Sequence, residues 1–211
     1  RPHLIARPAV GGPLHDVRGE KWLVVGSGLD VAAILTKAGA IVSFGGEGPF
    51  QGREDAWDGV VDLRGLESKS GLRGALPARA LHTLAQKVRP SRFAIVSALG
   101  GLGLDAAAKA ETVLQGSLHG YAKALGRERP DAVVRAIDVD PRASTDAQAR
   151  FVVDEILGPD HDAEIAQVGA GRASIELVPE TIAAGTPLGS SDVVLIVGGA
   201  GDLGVKTARA I

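Results

Sequence analysis

The sequence predicts an α/β fold with a doubly wound, mostly parallel sheet, and two patterns along the chain support this prediction. Short apolar runs alternate with longer segments whose apolar residues recur at helical spacing, and glycine-rich turns directly follow the first and last of these runs. Strands that are buried on both faces read as apolar runs, and parallel neighbours need a crossover between them. Right-handed helical crossovers then cover both faces of the sheet.

The composition is that of an ordinary soluble globular protein, with 45% hydrophobic and 23% charged residues. The 23 basic and 25 acidic residues leave a net charge of −2, which gives no field to attract nucleic acid or an anionic membrane. The absence of cysteine excludes thiolate ligands, and the five histidines are scattered, so we expect no metal site. No apolar run approaches the roughly 20 residues of a membrane-spanning helix. We therefore expect a cytoplasmic protein without a nucleic-acid or membrane partner.

Proline and glycine content divides the chain into four predicted segments. Residues 1–20 predict an extended lead-in, residues 21–178 a first domain, residues 179–191 a linker, and residues 192–211 the truncated start of a second unit. The chain starts at Arg1, contains no methionine and ends at Ile211 within a predicted helix. This pattern is typical of a segment from a longer protein.

Strands and helices are predicted to alternate through the first domain. The predicted strands are Trp22–Val25, Ala40–Phe44, Gly59–Leu63, Phe93–Ser97 and Val133–Val139, followed by a strand or hairpin at Ile165–Leu177. The predicted helices are Asp30–Ala38, Leu76–Val88, a long helix from an N-cap at Asp105 to about Gly126, and one that is capped by Ser144 or Thr145 and runs through Ile156.

Two glycine-rich turns are candidates for binding a nucleotide phosphate. The second matches G-x-G-x-x-G directly after a predicted strand, Val193–Val197, and directly before a helix predicted from Val205. Its candidate cofactor-binding residues, which form an incomplete site, are Gly198, Gly199, Gly201 and Gly204. Asp202 would place a carboxylate near the phosphates. The first turn, residues 26–31, has Val31 in the place of the third glycine, which indicates a degenerate Rossmann-like turn without a ligand.

The order of these features, together with several segments, resembles the ketoreductase region of type I polyketide synthases and of polyunsaturated-fatty-acid-type synthases, which is similar to short-chain dehydrogenases. The segments that carry the resemblance are Asp58–Leu63, Ala94–Ser97, Gly120–Pro130, Val134–Asp140 and Gly198–Gly204. Such regions contain a structural half, which has lost the cofactor and the catalytic residues, followed by a catalytic half. The resemblance covers nearly the whole chain and implies that residues 21–178 are the structural half.

The catalytic residues of that family are a Tyr, a Lys four residues later and a Ser from the preceding strand. The Tyr donates a proton to the substrate carbonyl, and the Lys lowers the pKa of that Tyr. The resemblance places Ser97 in the Ser position as a remnant, Glu111 in the Tyr position and Gln115 in the Lys position. Tyr121, the only tyrosine, has Leu125 four residues on and is predicted to be core or interface. We therefore expect no catalytic residue in this chain.

The resemblance also implies cofactors and partners. The parent protein is expected to be an NADPH-dependent β-ketoacyl reductase, with the catalytic ketoreductase half in cis and an acyl carrier protein as partners, whereas this chain alone is expected to bind no cofactor. Two alternatives stay open. One is a fragment of an active NADPH-dependent reductase, and the other is a flavodoxin-like module that binds a ligand with the loop Gly45–Pro49.

Three further features predict local structure. His119 is interpreted as an exposed or hydrogen-bonded side chain, not as a catalytic base. Asp154 and Glu155 predict a solvated helix face. Gly116 and Gly120 are four residues apart on the long helix, and they predict a groove for close packing, either inside the domain or against a partner.

Overall fold

The computed structural model describes residues 2–45, 57–66, 75–103, 110–160, 162–179, 181, 188–189 and 191–210, without the side chains of residues 75–78 and 110–114. The chain divides into two compact units, Pro2–Val178 and a second that contains Pro179–Ile211. Each unit is described by itself. Among the described residues, no helix is both long and apolar enough to cross a membrane.

The first unit is built on one eight-stranded sheet. Its strands are β1 (Pro2–Arg7), β2 (Lys21–Val25), β3 (Ile41–Gly45), β4 (Gly59–Asp62), β5 (Arg92–Ser97), β6 (Val133–Asp138), β7 (Glu164–Val168) and β8 (Gly171–Leu177). Their spatial order is β1-β8-β7-β6-β5-β4-β2-β3. The six strands from β3 to β7 in this order pair in parallel, and β8 pairs antiparallel with both of its neighbours. The predicted fold class, a doubly wound and mostly parallel sheet, is confirmed.

The start of the predicted lead-in is a strand of this sheet. Strand β1 pairs with β8 in a register that runs from Pro2 opposite Leu177 to Arg7 opposite Arg172. The Arg7 guanidinium ties the two strands further, since its Nε donates to Ser174 Oγ at 2.6 Å. An edge strand tolerates proline, so Pro2 does not oppose this pairing. The partner strand lies far along the sequence, which is why the local pattern predicts only extended chain.

Helices cover both faces of the sheet. Helices α1 (Val31–Lys37) and α4 (Thr145–Leu157) pack on one face, and α2 (Ala75–Lys87) and α3 (Ala110–Glu128) pack on the other. Asp30 caps α1, because its side chain accepts from the backbone N–H of Ala33. Of the two predicted caps of α4, Ser144 and Thr145, the structure shows Ser144, which accepts from the backbone N–H of Ala147. Asp105, the predicted cap of α3, lies outside the described residues.

The strand order reverses between β2 and β4. From β2 the chain moves outward to β3, whereas β4, β5, β6 and β7 follow one another in the opposite direction. In open α/β sheets, ligands bind outside the carboxyl ends of the strands at such a reversal. The first glycine turn, which follows β2, lies at this point.

A buried cluster of charged side chains joins α4 to the sheet and corrects the prediction of a solvated helix face. Asp154 is exposed, but Glu155 on α4 is fully buried. Its carboxylate accepts from Arg135 Nη1 at 3.1 Å and from Arg172 Nε and Nη2 at 2.7 and 2.9 Å. Both arginines are buried as well. Burial of Glu155 is possible because β6 and β8 each supply a cation, which the helical pattern alone does not reveal.

In the second unit, residues 193–197 are not a strand, contrary to the sequence prediction. The side chains of Val193, Leu195 and Val197 are each at least 88% exposed. A strand needs a hydrogen-bonded neighbour, and no described strand pairs with this segment. Helix α5 (Asp202–Ala210) does form, and it begins three residues earlier than the predicted Val205.

Candidate functional site

The first glycine turn keeps its glycine conformation but lacks the third glycine of the motif. Gly28 has a φ of 106°, a left-handed conformation that favours glycine. Ser27 and Gly28 are exposed, and a Cβ on Gly28 would make only an ordinary van der Waals contact with Leu66 Cδ1, at 3.8 Å. Val31, in the position of the third glycine, is fully buried in the core at the start of α1. A buried valine therefore stands where a nucleotide-binding turn needs glycine for close packing.

An ion pair between two buried side chains lies at the carboxyl end of the neighbouring strand, β4. Asp62 ends β4 and Arg64 begins a short 3-10 helix (Arg64–Leu66), and both side chains are 4% exposed. Arg64 donates to the Asp62 carboxylate with Nε at 3.0 Å and with Nη2. Position 65 requires glycine, because a Cβ there would collide with the carbonyl oxygen of Val96 on β5. The Arg64 charge is thus neutralised inside the protein and is not presented to a phosphate.

Ser97, the predicted catalytic remnant, lies at the carboxyl end of β5 and is completely buried. Its Oγ lies 2.8 Å from His119 Nε2 and 3.1 Å from Asp138 Oδ1. The hydroxyl is therefore engaged by two side chains of the domain and does not face solvent.

Of the residues that the resemblance places in the Tyr and Lys positions, the structure describes the side chain of Gln115 alone. Gln115 lies on α3 and its Oε1 accepts from the backbone N–H of Ala98 at 2.9 Å. It fixes the start of the loop that follows β5. Glu111 also lies on α3, but its side chain lies outside the description. An amide in the Lys position carries no charge to lower the pKa of a proton donor.

The Asp138 side chain holds the loop that follows β5 by accepting hydrogen bonds from its backbone N–H groups. Its Oδ1 accepts from the backbone N–H of Leu99, and its Oδ2 accepts from those of Gly101, at 2.9 Å, and Leu102. Leu102 is held in a left-handed conformation with φ of 59°. Burial raises the pKa of the Asp138 carboxyl above its usual value, while the bonds from Leu102 and Leu99 oppose that rise. Because these backbone N–H groups donate to the buried Asp138 carboxyl group, they are not available to a substrate oxygen.

His119 is the contact of Ser97 that sequence reasoning missed. The ring is 5% exposed, and its Nδ1 lies 3.4 Å from Glu164 Oε1 on β7. Lys123 Nζ lies 3.0 Å from the other Glu164 oxygen. The contact with His119 and then that with Lys123 lower the pKa of Glu164 below its usual value, although burial opposes this. Helical spacing could have indicated that His119 is buried, because it lies between the buried Leu118 and Ala122 on the apolar face of α3.

Other positions on α3 settle two sequence predictions. Tyr121 packs half-buried against the core, as predicted, and its Oη lies 3.3 Å from His82 Nδ1. Burial raises the pKa of this phenol. At Gly116 and Gly120, an added Cβ would meet no atom within 4 Å among the described residues. The predicted groove is therefore not used for packing inside the described part of the domain, and this face of α3 is open.

The second glycine turn has the close packing that its motif requires. Gly198 has a φ of 79°, and Gly201 N–H donates to the Gly198 carbonyl at 2.9 Å. A Cβ on Gly204 would collide with the Gly198 carbonyl and with Gly199, so only glycine fits the third position. Asp202 begins α5 and sits at the end of the helix where a phosphate would bind. Most of the Gly45–Pro49 loop, the alternative ligand site, lies outside the described residues.

Comparisons with known proteins agree with this architecture. No protein-family model and no curated protein sequence matches the chain. Among solved structures, the chain is similar to a C2-type ketoreductase from a modular polyketide synthase, with 22% identity over 89% of this chain and a TM-score of 0.63. It is also similar to a ketoreductase from the first module of phoslactomycin biosynthesis in Streptomyces sp. HK803, with 23% identity over 99% of this chain and a TM-score of 0.56.

A third structure, an adenylation, ketoreductase and pseudo-Asub multidomain assembly from a keto-acid-selecting nonribosomal peptide synthetase module, has 15% identity over 99% of this chain and a TM-score of 0.69. The chain spans 44% of each of the first two structures and 21% of the third. At these identities the likeness establishes the fold. The chain therefore shares the fold of these ketoreductase structures.

Proposed function

We propose that residues 21–178 form the non-catalytic structural half of a β-ketoacyl ketoreductase in a multidomain polyketide or fatty-acid synthase. In this proposal the domain supports an NADPH-dependent catalytic half in cis. The observation that carries the proposal is the state of Ser97, whose hydroxyl is buried and held by His119 and Asp138. The ketoreductase-like fold gives the proposal its family context.

The chemistry of ketone reduction explains why this arrangement is inert. Hydride transfer to a carbonyl needs a proton donor beside the carbonyl oxygen and a polar group that orients it. Here the Ser97 hydroxyl points into the domain, and the loop N–H groups that follow it bind Asp138. Gln115 binds the backbone of Ala98. Each of these polar groups near the end of β5 therefore stabilises the fold by a hydrogen bond within the domain.

The geometry of the two glycine turns shows which of them could hold NADPH, the expected cofactor. The second turn fits a pyrophosphate, because the contact at Gly204 brings the backbone close to the position of the phosphates at the start of α5. Gly198, Gly199, Gly201 and Gly204 are the residues that would hold it, and the bound cofactor would supply the hydride. Asp202 disfavours this binding by charge. The first turn does not fit, since Val31, which is buried in the core, stands where the motif needs its third glycine. We propose that NADPH binds to the parent protein and not to this chain alone.

The open face of α3 is the surface that we assign to the catalytic half. Gly116, Ser117, Gly120 and Ala124 are small and exposed there, and small residues let another backbone approach closely. Lys123 and Arg127 border this face and are also exposed. An acyl carrier protein as a further partner, and a cytoplasmic location, follow from the same proposal.

Association with the catalytic half tests the proposal. The catalytic half of the parent synthase, supplied as a separate chain, is expected to form a 1:1 complex with this chain in analytical ultracentrifugation. Gly120→Leu is expected to weaken the complex at least tenfold without unfolding the domain, because the added side chain projects into open space on α3.

Ala147→Leu is the matched control, since Ala147 is equally exposed but lies on α4, across the sheet. Equal affinity of both variants would refute the assignment of this face. Absence of any complex with the unmodified chain would refute the supporting role.

A further inference from the structure

The segment that follows β5, residues 98–103, takes an unusual backbone path, and we name it the β5 loop. Strand β5 ends at Ser97, which lies opposite Asp138 in the last pair that β5 forms with β6. The next turn has four consecutive residues with positive φ, at 68°, 96°, 59° and 69° for residues 100–103. Three of them are glycines, and the fourth, Leu102, is the one residue other than glycine with a positive φ in the described part of the chain. Such a conformation is costly for a residue with a Cβ, so neighbouring groups must hold the loop in this path.

The group that holds the β5 loop is the side chain of Asp138, which is completely buried. The backbone N–H of Leu99 donates to Oδ1, and those of Gly101, at 2.9 Å, and Leu102 donate to Oδ2. The Ser97 hydroxyl also donates to Oδ1, at 3.1 Å. Each oxygen therefore receives two donors. Backbone N–H groups can only donate, so both oxygens act as acceptors toward the loop whatever proton the carboxyl group carries.

The arrangement of these donors is that of a site for a carboxylate. Neighbouring backbone N–H groups in left-handed turns form concave sites, called nests, that bind the oxygens of anions. Here three N–H groups of one loop converge on a planar group with two oxygens, and that group is attached to another strand, β6. The contact between the loop and Asp138 therefore has the form of a bound ligand that happens to be tethered to the same chain.

We propose that the β5 loop is a carboxylate-binding nest and that Asp138 occupies it as an internal ligand. When the side chain of Asp138 is shortened, a free small carboxylate takes its place on the N–H groups of the loop. In the unmodified chain the same contact blocks the nest against any carboxylate or carbonyl oxygen from outside. This proposal depends on the contacts of the β5 loop alone, and not on whether the domain supports a catalytic half.

Denaturation of Asp138→Ala with and without formate tests the nest in the 211-residue chain. Formate presents the two oxygens of a carboxyl group without a chain, and at about pH 7 it is ionised. Formate in the molar range is expected to raise the folding equilibrium constant of Asp138→Ala about tenfold, the effect of a ligand present at about ten times its dissociation constant. Sodium chloride at the same concentration controls for screening. The unmodified chain, whose nest is occupied, is expected to gain nothing from formate beyond the effect of chloride.

Asp138→Asn is the matched control, because it keeps the space filled. Its amide places an N–H₂ group against either the N–H of Leu99 or those of Gly101 and Leu102, so it is expected to be less stable than the unmodified chain. It leaves no room for formate and is expected to gain nothing from it beyond the effect of chloride. The proposal is overturned if formate stabilises Asp138→Ala no more than Asp138→Asn, or if Asp138→Ala stays unfolded in formate.

Hydrogen exchange of single amides locates the bound formate. In folded Asp138→Ala, formate is expected to slow the exchange of the Leu99, Gly101 and Leu102 amides about tenfold, because each N–H regains an acceptor. The Gly169 amide, which donates to the unaltered Asp140 at 3.1 Å, is the internal control and is expected to change less. Equal slowing of all four amides would show a general effect of formate on the fold and would refute binding at the nest.

The unmodified chain provides a measurement that does not depend on the folding of a variant. If the Asp138 side chain holds the β5 loop, the amides of Leu99, Gly101 and Leu102 are expected to exchange at least about a hundredfold more slowly than in an unstructured peptide. Exchange at the rate of an unstructured peptide would show that Asp138 does not occupy the loop, and the proposal would fall.

Discussion

Replacing Glu155 by glutamine tests the buried charge cluster that joins α4 to the sheet. In the unmodified protein one carboxylate receives three hydrogen bonds from two buried guanidinium groups, at 2.7, 2.9 and 3.1 Å. A glutamine of the same shape removes the negative charge and directs an N–H₂ group at one of the arginines. Arg172 keeps an ion pair with Asp160 at 2.9 Å, whereas Arg135 keeps the backbone carbonyl of residue 155 but, among the described residues, no carboxylate within ion-pair distance.

The expected loss is about 3–5 kcal/mol in the free energy of unfolding, the range for removing one partner of a buried ion pair. Domains of this kind are stable by roughly 5–15 kcal/mol, so the variant should unfold at much lower denaturant concentration. Urea denaturation followed by circular dichroism measures this change. The adjacent Asp154→Asn is the matched control, because Asp154 is exposed and its replacement should cost no more than about 0.5 kcal/mol.

A cost below about 1 kcal/mol for Glu155→Gln would refute this reasoning, because it would mean that water already screens the cluster. A combined replacement of Arg135, Glu155 and Arg172 by apolar residues of similar volume gives a second check. It is expected to be much less destabilising than Glu155→Gln, since no unpaired charge remains buried.

Two further predictions concern packing and acid stability. Gly65→Ala is expected to destabilise the domain by about 1–3 kcal/mol in urea denaturation, because its Cβ would collide with β5. Gly120→Ala, at an open helical position, is expected to stabilise it by up to about 1 kcal/mol, and a loss at Gly120 equal to that at Gly65 would contradict the open face. Because the pKa of Glu164 is lowered in the folded state, its contribution is present above about pH 4 and is lost as pH falls. Glu164→Gln is therefore expected to flatten the decline in stability between about pH 5 and pH 3, and an unchanged decline would count against this assignment.

The sequence predicts the sheet well where buried strands are apolar on both faces, as in Phe93–Ser97 and Trp22–Val25. It also predicts a cap at Ser144 or Thr145, which the structure shows at Ser144, since capping depends on residues that are close along the chain. It does not reveal β1, because the partner of that strand is contributed by the distant β8. It predicts a strand at Val193–Val197 that does not form, because composition favours a strand there but no neighbour pairs with it.

The site was predicted in part. The position of Ser97 at the end of β5 follows from the strand pattern and the family resemblance, and Tyr121 was interpreted as core. The burial of Glu155 and the contact between His119 and Ser97 were missed. Both depend on charged or polar partners from distant strands, which helical periodicity cannot show.

NADPH oxidation by this chain is the most direct test of the proposed non-catalytic role. The measurement compares the unmodified chain with a double variant, Glu111→Tyr with Gln115→Lys, using a small ketone such as a decalone. We expect no turnover from either protein, because a Tyr and a Lys alone supply no bound nicotinamide and Val31 replaces the third glycine of the first turn. The catalytic half of the parent synthase serves as the positive control. Turnover by this chain, in either form, would contradict the account of a structural half.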